Sequence, residues 1–281
     1  MNQVFYNDWV GRQRQVEERI GVLQVAGLRA VLDDPTPPAE GEPPLGLQWL
    51  LCPDIAVQSR LGPDGHPARG DFLPPVALPR RMWAGGELRF HGTPRLHGAV
   101  VRHSTVKSVE EKSGRSGQLV FVGVEHQYTC DGDPWLTETQ TLVYREAGTS
   151  ASPPAPVDPA GYTWREDLSP DPVLLFRYSA LTFNGHRIHY DQPYATGEEG
   201  YRGLVVHGPL TATLLMRLAQ RQLAPGQRLA RFRFRGLSAA IVDEPLVLLG
   251  RTAGDGVELL ATVADGRPVM EARAAVTAVA G

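Results

Sequence analysis

The sequence GLVVHGPLTATLLMRLAQ, residues 203–220, carries the strongest helix signal in the chain. Proline suits the first turn of a helix, because its missing N–H would have no partner there anyway. The Gly-Pro pair at residues 208–209 is therefore typical of a helix start. The following residues are apolar in nearly every turn, which predicts a core helix over residues 209–222. The surrounding chain must supply the apolar surface that buries it.

Strand patterns precede this helix. Residues 86–145 contain alternating runs, and residues 119–126 place Val120, Val122 and Val124 on one face. The pair at residues 131–132, Asp-Gly, suits a tight hairpin turn. We expect antiparallel strands throughout this region.

Similar patterns follow the helix. Residues 231–235 alternate Arg with Phe, residues 246–249 are apolar, and residues 257–264 and 268–276 flank a second Asp-Gly pair. Arginines on alternate positions are typical of a solvated strand face, although they could also meet the phosphates of a bound substrate. The second half of the chain thus predicts a helix followed by antiparallel strands.

The N-terminal third combines a predicted helix with a long irregular segment. Apolar residues recur at threes and fours over residues 9–34, which predicts a helix that ends before Pro35. Residues 35–90 are rich in proline and glycine, with apolar islands at 49–52 and 76–78. We interpret this segment as an insertion laid over the core that contacts substrate, since loops of such length are often functional.

A proline-rich segment divides the chain. Residues 148–171 predict an extended linker between an N-terminal half, 1–147, and a C-terminal half, 172–281. Each half offers one apolar helix and strands that close in an Asp-Gly hairpin. A helix lying across a curved antiparallel sheet, twice in one chain, is an α+β double hot-dog fold with two sheets, each wrapped around a central helix.

Composition excludes several functions. The chain has 281 residues, a net charge of −3 and no basic block, so we expect no nucleic-acid partner. Its apolar runs are too short to span a bilayer. The polar N-terminal sequence lacks a signal-peptide core, and Cys52 and Cys130 lack metal-site spacing, so we expect a cytoplasmic protein with buried, reduced thiols.

Three of the eight histidines lie within SALTFNGHRIHYD, residues 179–191, and GLVVHGPL, residues 203–210. Together these motifs resemble the MaoC-like hydratase/dehydratase family. More narrowly, they resemble its double hot-dog subgroup of type 2 3-hydroxyacyl-thioester dehydratases and itaconyl-CoA and mesaconyl-C4-CoA hydratases. RMWAGG, residues 81–86, and GRSGQLVF, residues 114–121, are similar to that subgroup too. The resemblance covers most of the chain and implies a hydratase.

The family motif reads Asp-x-Asn-Pro-hydrophobic-His. Placing its histidine on His189 puts Asn184 at the aspartate, His186 at the asparagine and Arg187 at the proline. An amide cannot accept a proton as a carboxylate can. The resemblance therefore implies that His189 exchanges the proton alone while Asn184 holds the water. His186 is predicted to contact the substrate, with a turn cap as the alternative.

Other candidate residues surround the motif. Gly208 is predicted to be the N-cap of the helix, where its N–H would stabilise the enolate oxygen of a thioester. His207 is a candidate substrate contact, with a structural role as the alternative. Arg187 and Arg202 could bind a free carboxylate on the substrate, or could be ordinary surface arginines. Asp191 is predicted to cap a short helix.

The resemblance implies reversible hydration of an enoyl-CoA to a 3-hydroxyacyl-CoA, with a branched dicarboxylic substrate such as itaconyl-CoA or mesaconyl-C4-CoA. A 3-hydroxyacyl-carrier-protein dehydratase, a thioesterase and a non-catalytic acyl-thioester-binding module are the alternatives. We expect one active site per chain, in the C-terminal half, with no metal and no cofactor beyond the CoA of the substrate. Further homo-oligomerisation is left open.

Overall fold

The computed structural model describes residues 6–37, 42–114, 117–147 and 154–278. The described chain forms ten strands and four α-helices. In chain order they are β1 Gln13–Arg19, α1 Val22–Val31, β2 Arg80–Phe90, β3 Ala99–Gly114, β4 Gly117–Cys130, β5 Asp133–Arg145, β6 Trp164–Leu168, α2 Pro172–Thr182, α3 Gln192–Gly197, α4 Gly208–Gln220, β7 Gln227–Gly236, β8 Leu246–Ala253, β9 Gly256–Val263 and β10 Pro268–Ala278.

The strands form one antiparallel sheet in the order β1-β3-β4-β5-β2-β7-β10-β9-β8-β6. Each half of the chain contributes five neighbouring strands, as a double hot-dog fold requires. The sequence predicts two separate sheets, whereas β2 pairs with β7 across the middle, with Leu88 opposite Phe232. This pairing satisfies the backbone groups that each half would otherwise leave open at an edge strand. The predicted double hot-dog fold is confirmed, with its two sheets continuous.

Helix α4 is the central helix of the second half. It contacts β7, β8, β9 and β10, and Leu215 and Met216 in its middle are completely buried. Burying a side chain of this size contributes about 1.5–3 kcal/mol relative to leaving it exposed. The core helix predicted over residues 209–222 is confirmed, and the curved sheet supplies the apolar surface around it.

The helix predicted over residues 9–34 is wrong in its first part. Strand β1 covers residues 13–19 and pairs with β3, and α1 spans only Val22–Val31. The side chains of β1 alternate between exposed and half-buried. That period of two is the strand period, and pairing with β3 outweighs the weak apolar spacing of threes and fours. Helix α1 packs on α2, where Gly27 faces Leu181.

Two further segments differ from the sequence-based boundaries. The predicted linker, residues 148–171, includes strand β6, which pairs with β8 at the sheet edge. Its residues 148–153 lie outside the described ranges. Strand β2 begins at Arg80, inside the segment predicted as an insertion. Both hairpin turns predicted at Asp-Gly pairs are confirmed, since they connect β4 to β5 and β9 to β10.

The irregular segment before β2 covers part of the first-half sheet. Phe72 and Val76 pack with the valines of β4 that the sequence places on one face. The irregular segment also forms one wall of a groove over the sheet.

Both cysteines are buried and unpaired, as expected. No helix among the described residues is long and apolar enough to cross a membrane.

Candidate active site

A groove of about 2290 Å³ runs over the sheet between the two halves of the chain. Its walls are the irregular segment around residues 48–73, the turn at residues 182–190, the start of α4, and residues of β2, β4 and β5. Pockets for drug-sized ligands are usually about 300–1,000 Å³. The groove is therefore large enough for a ligand of the size of a CoA thioester.

The turn that carries the histidine motif is built from local capping interactions. Helix α2 ends at Phe183, whose positive φ of 51° reverses the chain. Asn184 Oδ1 then accepts a hydrogen bond from the N–H of His186 at 3.0 Å, which tightens the turn. Asp191 caps α3 by accepting from Tyr194 N at 3.1 Å, as the sequence predicts. These contacts hold residues 184–189 against the groove.

His189 lines the groove and is only 7% exposed. Its Nδ1 lies 2.7 Å from the carbonyl oxygen of Val205. A carbonyl can only accept, so Nδ1 carries the hydrogen and Nε2 keeps its lone pair. Burial lowers the pKa of His189 to about 4, against a smaller opposing effect from Val205. His189 is therefore a neutral imidazole near pH 7, with Nε2 available to accept a proton.

His207 supports His189 from behind. The two rings stack with centroids 3.6 Å apart and planes 17° apart. His207 Nε2 pairs with Ser179 Oγ at 2.8 Å, and its Nδ1 has no hydrogen-bond partner within the described ranges. His207 is 1% exposed and is not part of the groove lining that the described residues form. The geometry places it against the His189 ring rather than at the predicted position facing the substrate.

His186 is buried beside His189, with ring centroids 5.6 Å apart and planes at 89°. Burial, with smaller contributions from the nearby His189 and Arg81, lowers the pKa of His186 to about 3. On its other side the ring contacts His66, with centroids 4.4 Å apart. His66 comes from the irregular segment of the first half and lines the groove. Sequence reasoning missed it, although it predicted substrate contacts for that segment.

Two glycines allow His66 to reach His186. The N–H of Arg187 donates to the carbonyl of Asp64 at 2.9 Å, which joins the two loops. Gly65 has a φ of +86°, and a Cβ on it would collide with the carbonyl of Gly185. A Cβ on Gly185 would lie 2.8 Å from the carbonyl oxygen of Gly65. Glycine at both positions is what permits this close approach.

The same contact brings together potential metal ligands. Ligand atoms of Asp64, His66 and His186 all lie within 4.8 Å of one another. Neutral imidazole and carboxylate are suitable ligands for zinc. Sequence spacing does not reveal this cluster, because Asp64 and His186 are far apart in the chain.

Asn184 lines the groove, but its amide oxygen already serves the turn. Its amide nitrogen carries two further N–H donors. A donor can hold the oxygen of a water molecule but cannot remove its proton. The predicted role of Asn184 in holding water stays a prediction that this geometry permits.

Gly208 is the first residue of α4, and His207 is the N-cap, so the prediction of Gly208 as N-cap is wrong by one residue. His207 has extended backbone angles, φ −61° and ψ 130°, while Gly208 already belongs to the helix. A Cβ on Gly208 would lie 2.8 Å from Trp83 Cε3. The helix N-terminus therefore meets the Trp83 ring at the groove, where the helix dipole stabilises negative charge.

Both arginines proposed as carboxylate ligands already hold an ion pair. Arg187 donates to Asp191 Oδ2 from Nε at 2.9 Å and from Nη2 at 2.7 Å. Arg202 Nη2 lies 2.5 Å from Glu244 Oε1. Both residues line the groove. Binding a substrate carboxylate would require each arginine to share its charge between two carboxylates, and their predicted role stays a prediction.

Comparison with known proteins agrees with this fold. Residues 46–242 match the family model described as hydroxyacyl-thioester dehydratase type 2. The mesaconyl-C(4)-CoA hydratase of Chloroflexus aurantiacus is 42% identical over 276 residues, which cover 97% of this chain and 98% of that protein.

Two solved structures share the fold at lower identity. One, described as a MaoC-like dehydratase, is 14% identical and has a TM-score of 0.74, with 98% of this chain and 100% of that chain covered. The other is a Mycobacterium tuberculosis protein described as having a double hot-dog fold, also 14% identical, with a TM-score of 0.58 and 95% and 96% covered. The family match and the near full-length relative confirm the resemblance in the sequence, and the chain belongs to the hydroxyacyl-thioester dehydratase type 2 family.

Proposed function

We propose that this enoyl-thioester hydratase acts on mesaconyl-C4-CoA. The support is the identity of 42% to a mesaconyl-C(4)-CoA hydratase over nearly the full length of both chains. The site observation that carries the chemistry is the hydrogen bond from His189 Nδ1 to the carbonyl of Val205, because it leaves Nε2 as a base. Itaconyl-CoA, the other substrate that the resemblance implies, is the alternative within the same reaction.

His189 carries out the proton transfer in two steps. Nε2 takes a proton from a water molecule held by the Asn184 amide, and the water oxygen bonds to the β-carbon of the enoyl thioester. The π electrons move toward the thioester and form an enolate. The imidazolium then returns the proton to the α-carbon, which gives the 3-hydroxyacyl-CoA and restores neutral His189. General acid–base catalysis of this kind contributes typically about 10²–10⁴-fold.

The enolate oxygen needs a hydrogen-bond donor while the charge develops. The N–H of Gly208 serves that purpose at the first turn of α4, where the unpaired N–H groups and the dipole favour an anion. Glycine is required there because Trp83 occupies the place of a side chain. No cofactor takes part in this mechanism apart from the CoA of the substrate.

Loss of the ultraviolet absorbance of the enoyl thioester tests this function. We expect wild-type protein to hydrate mesaconyl-C4-CoA faster than itaconyl-CoA or crotonyl-CoA. The His189→Ala variant should lose about 10²–10⁴-fold in kcat, the range for removal of a general acid–base group. The exposed His103 on β3 offers a matched control, His103→Ala, which should keep wild-type activity.

Three results would contradict the proposal. Hydration of crotonyl-CoA alone would indicate a simple acyl substrate. Release of free CoA thiol at the same rate as loss of absorbance would indicate a thioesterase. Full activity of His189→Ala would remove His189 from the reaction.

The family description favours a second candidate function, dehydration of a 3-hydroxyacyl thioester. This is the reverse of the same reaction and uses the same residues. A 3-hydroxyacyl carrier protein converted faster than the corresponding CoA thioester would support this candidate and would place the chain in acyl-chain synthesis.

A further inference from the structure

Eight arginines line the groove, and their partners divide them into two groups. Six donate to carboxylates or backbone carbonyls, and these are Arg14, Arg69, Arg102, Arg187, Arg202 and Arg267. Within the described ranges, Arg81 and Arg145 have neither an ion pair nor a hydrogen bond to their guanidinium groups. An arginine that lines a groove without such a partner is free to bind an anion there.

The two arginines face different neighbours. The charge of Arg81 acts on the two contacting histidines: it is the second-largest cause, after burial, of the lowered pKa of His66, and it also lowers the pKa of His186. The charge of Arg145 acts instead on Glu199 and Tyr201. Arg81 lies on β2, two residues before the Trp83 ring that meets the start of α4. Arg81 is therefore the unpaired cation beside the histidine cluster.

A cation near His189 would stabilise the free carboxylate of the proposed substrate. In mesaconyl-C4-CoA, the free carboxylate and the methyl group are both bonded to the β-carbon, which is the carbon that receives the water. The carboxylate must therefore lie within a few ångströms of the base that activates the water. His186 lies between His189 and His66, with centroids 5.6 Å from the first and 4.4 Å from the second.

We propose that Arg81, together with the N–H groups of His66 and His186, forms a carboxylate-binding subsite that selects substrates with a free carboxylate on the β-carbon. This inference rests on the proposed mesaconyl-C4-CoA hydration. Arg81 supplies the charge and two parallel N–H donors, and each neutral imidazole supplies one more donor. The subsite replaces Arg187 and Arg202, which are committed to Asp191 and Glu244.

The charge of Arg81 also distinguishes this subsite from a metal site. A divalent cation bound to Asp64, His66 and His186 would be repelled by the guanidinium, which acts on both histidines. A carboxylate, by contrast, is attracted by the charge and accepts the hydrogen bonds.

The test compares kcat/KM for mesaconyl-C4-CoA with kcat/KM for crotonyl-CoA, which lacks the carboxylate. Arg81→Met should lower the ratio of the two values by roughly 10- to 150-fold, because a hydrogen bond to a charged group is lost. Arg81→Lys should recover part of the ratio, since it keeps the charge without the planar fork. Arg145→Met is the matched control and should leave the ratio unchanged. Misfolded molecules lower both apparent kcat/KM values by the same factor, so the ratio of the two values does not depend on the misfolded fraction.

The outcomes separate this inference from the proposed function. Wild-type protein that fails to hydrate mesaconyl-C4-CoA would refute the proposed substrate. Wild-type protein that hydrates it, with a ratio unchanged in Arg81→Met, would refute the subsite alone. Calorimetric titration with the unreactive saturated analogue methylsuccinyl-C4-CoA provides a readout without turnover, and Arg81→Met should weaken its binding more than that of butyryl-CoA. Stoichiometric Zn²⁺ binding that His66→Ala abolishes would assign the cluster to a cation and overturn the subsite.

Discussion

Replacing Gly208 by alanine tests the close contact between α4 and Trp83. The new Cβ would lie 2.8 Å from Trp83 Cε3 and 3.2 Å from Cζ3, whereas ordinary contact begins at 3.4 Å. Trp83 has little room to retreat, because it stacks on Phe234 at 4.4 Å and meets the edge of Trp49 at 5.7 Å. The first turn of α4 must therefore move by about 0.6 Å, the shortfall from ordinary contact.

This movement shifts the N–H proposed to hold the enolate oxygen. A misplacement of about 1 Å can cost about 10²-fold in rate, so we expect Gly208→Ala to lower kcat for crotonyl-CoA by about 10- to 10²-fold. Overpacking should also lower the free energy of unfolding by about 1–3 kcal/mol. Loss of enoyl-thioester absorbance measures the first quantity, and urea unfolding the second. Gly236→Ala is the matched control, because its Cβ meets nothing closer than 3.5 Å in the same groove.

A double-mutant cycle isolates the cause. Trp83→Leu removes both ring atoms that the new Cβ would meet, so Gly208→Ala should cost much less kcat in that background. Equal costs in both backgrounds would show that the contact with Trp83 is not the reason for glycine at residue 208. Full activity of the single variant in a folded protein would refute the reasoning altogether.

Three further perturbations have defined outcomes. Gly65→Ala should separate His66 from His186 and lower kcat/KM for mesaconyl-C4-CoA more than for crotonyl-CoA; equal effects would contradict a substrate role for this contact. Ser179→Ala leaves both nitrogens of His207 unpaired and should cost about 1–3 kcal/mol in urea unfolding, and an unchanged midpoint would contradict it. Lowering the pH from 7 to 4 should destabilise the protein, because buried histidines with depressed pKa values stay neutral when folded but bind protons near their ordinary pKa of 6.5 when unfolded. The residues concerned are His126, His186 and His189. Their contribution to the free energy of unfolding is complete above about pH 6.5 and is lost as the pH falls toward 4 and 3. A free energy of unfolding that stays constant between pH 7 and 5 would contradict this prediction.

Sequence patterns predicted those parts of the fold that depend on interactions between residues close together in the chain. The start of α4 at a Gly-Pro pair, the cap at Asp191 and the hairpin turns each need only a few neighbouring residues. Strand β1 was predicted as part of a helix. Val16 is its one apolar residue, so its sequence shows no alternation of apolar and polar residues that would indicate a strand. Its strand form depends on β3, whose paired residues are at least 80 positions away. The paired residues of β2 and β7 are still farther apart in the chain, so no local pattern could predict a single continuous sheet.

The two predicted carboxylate ligands, Arg187 and Arg202, differ in how far the sequence indicates their ion-pair partners. Asp191 lies four residues after Arg187, a spacing at which side chains on a helical turn can meet. That signal was present in the sequence and argues against a free Arg187. Glu244, in contrast, lies 42 residues from Arg202 and could not be assigned as its partner without the fold.

The residues that form the catalytic base lie close together in the chain, whereas the residues proposed to select the substrate lie far apart. His189 and the carbonyl that sets its tautomer are 16 residues apart, within two neighbouring motifs. A motif can therefore identify the base. His66 reaches His186 only because Gly65 and Gly185 let two distant loops touch, and Arg81 enters from a strand of the other half. The first half, expected to support the sheet and shape the pocket, thus supplies His66 and Arg81 to the proposed subsite. Family members that keep the motif but differ in the loop around His66 should then share the hydration chemistry and differ in their acyl group.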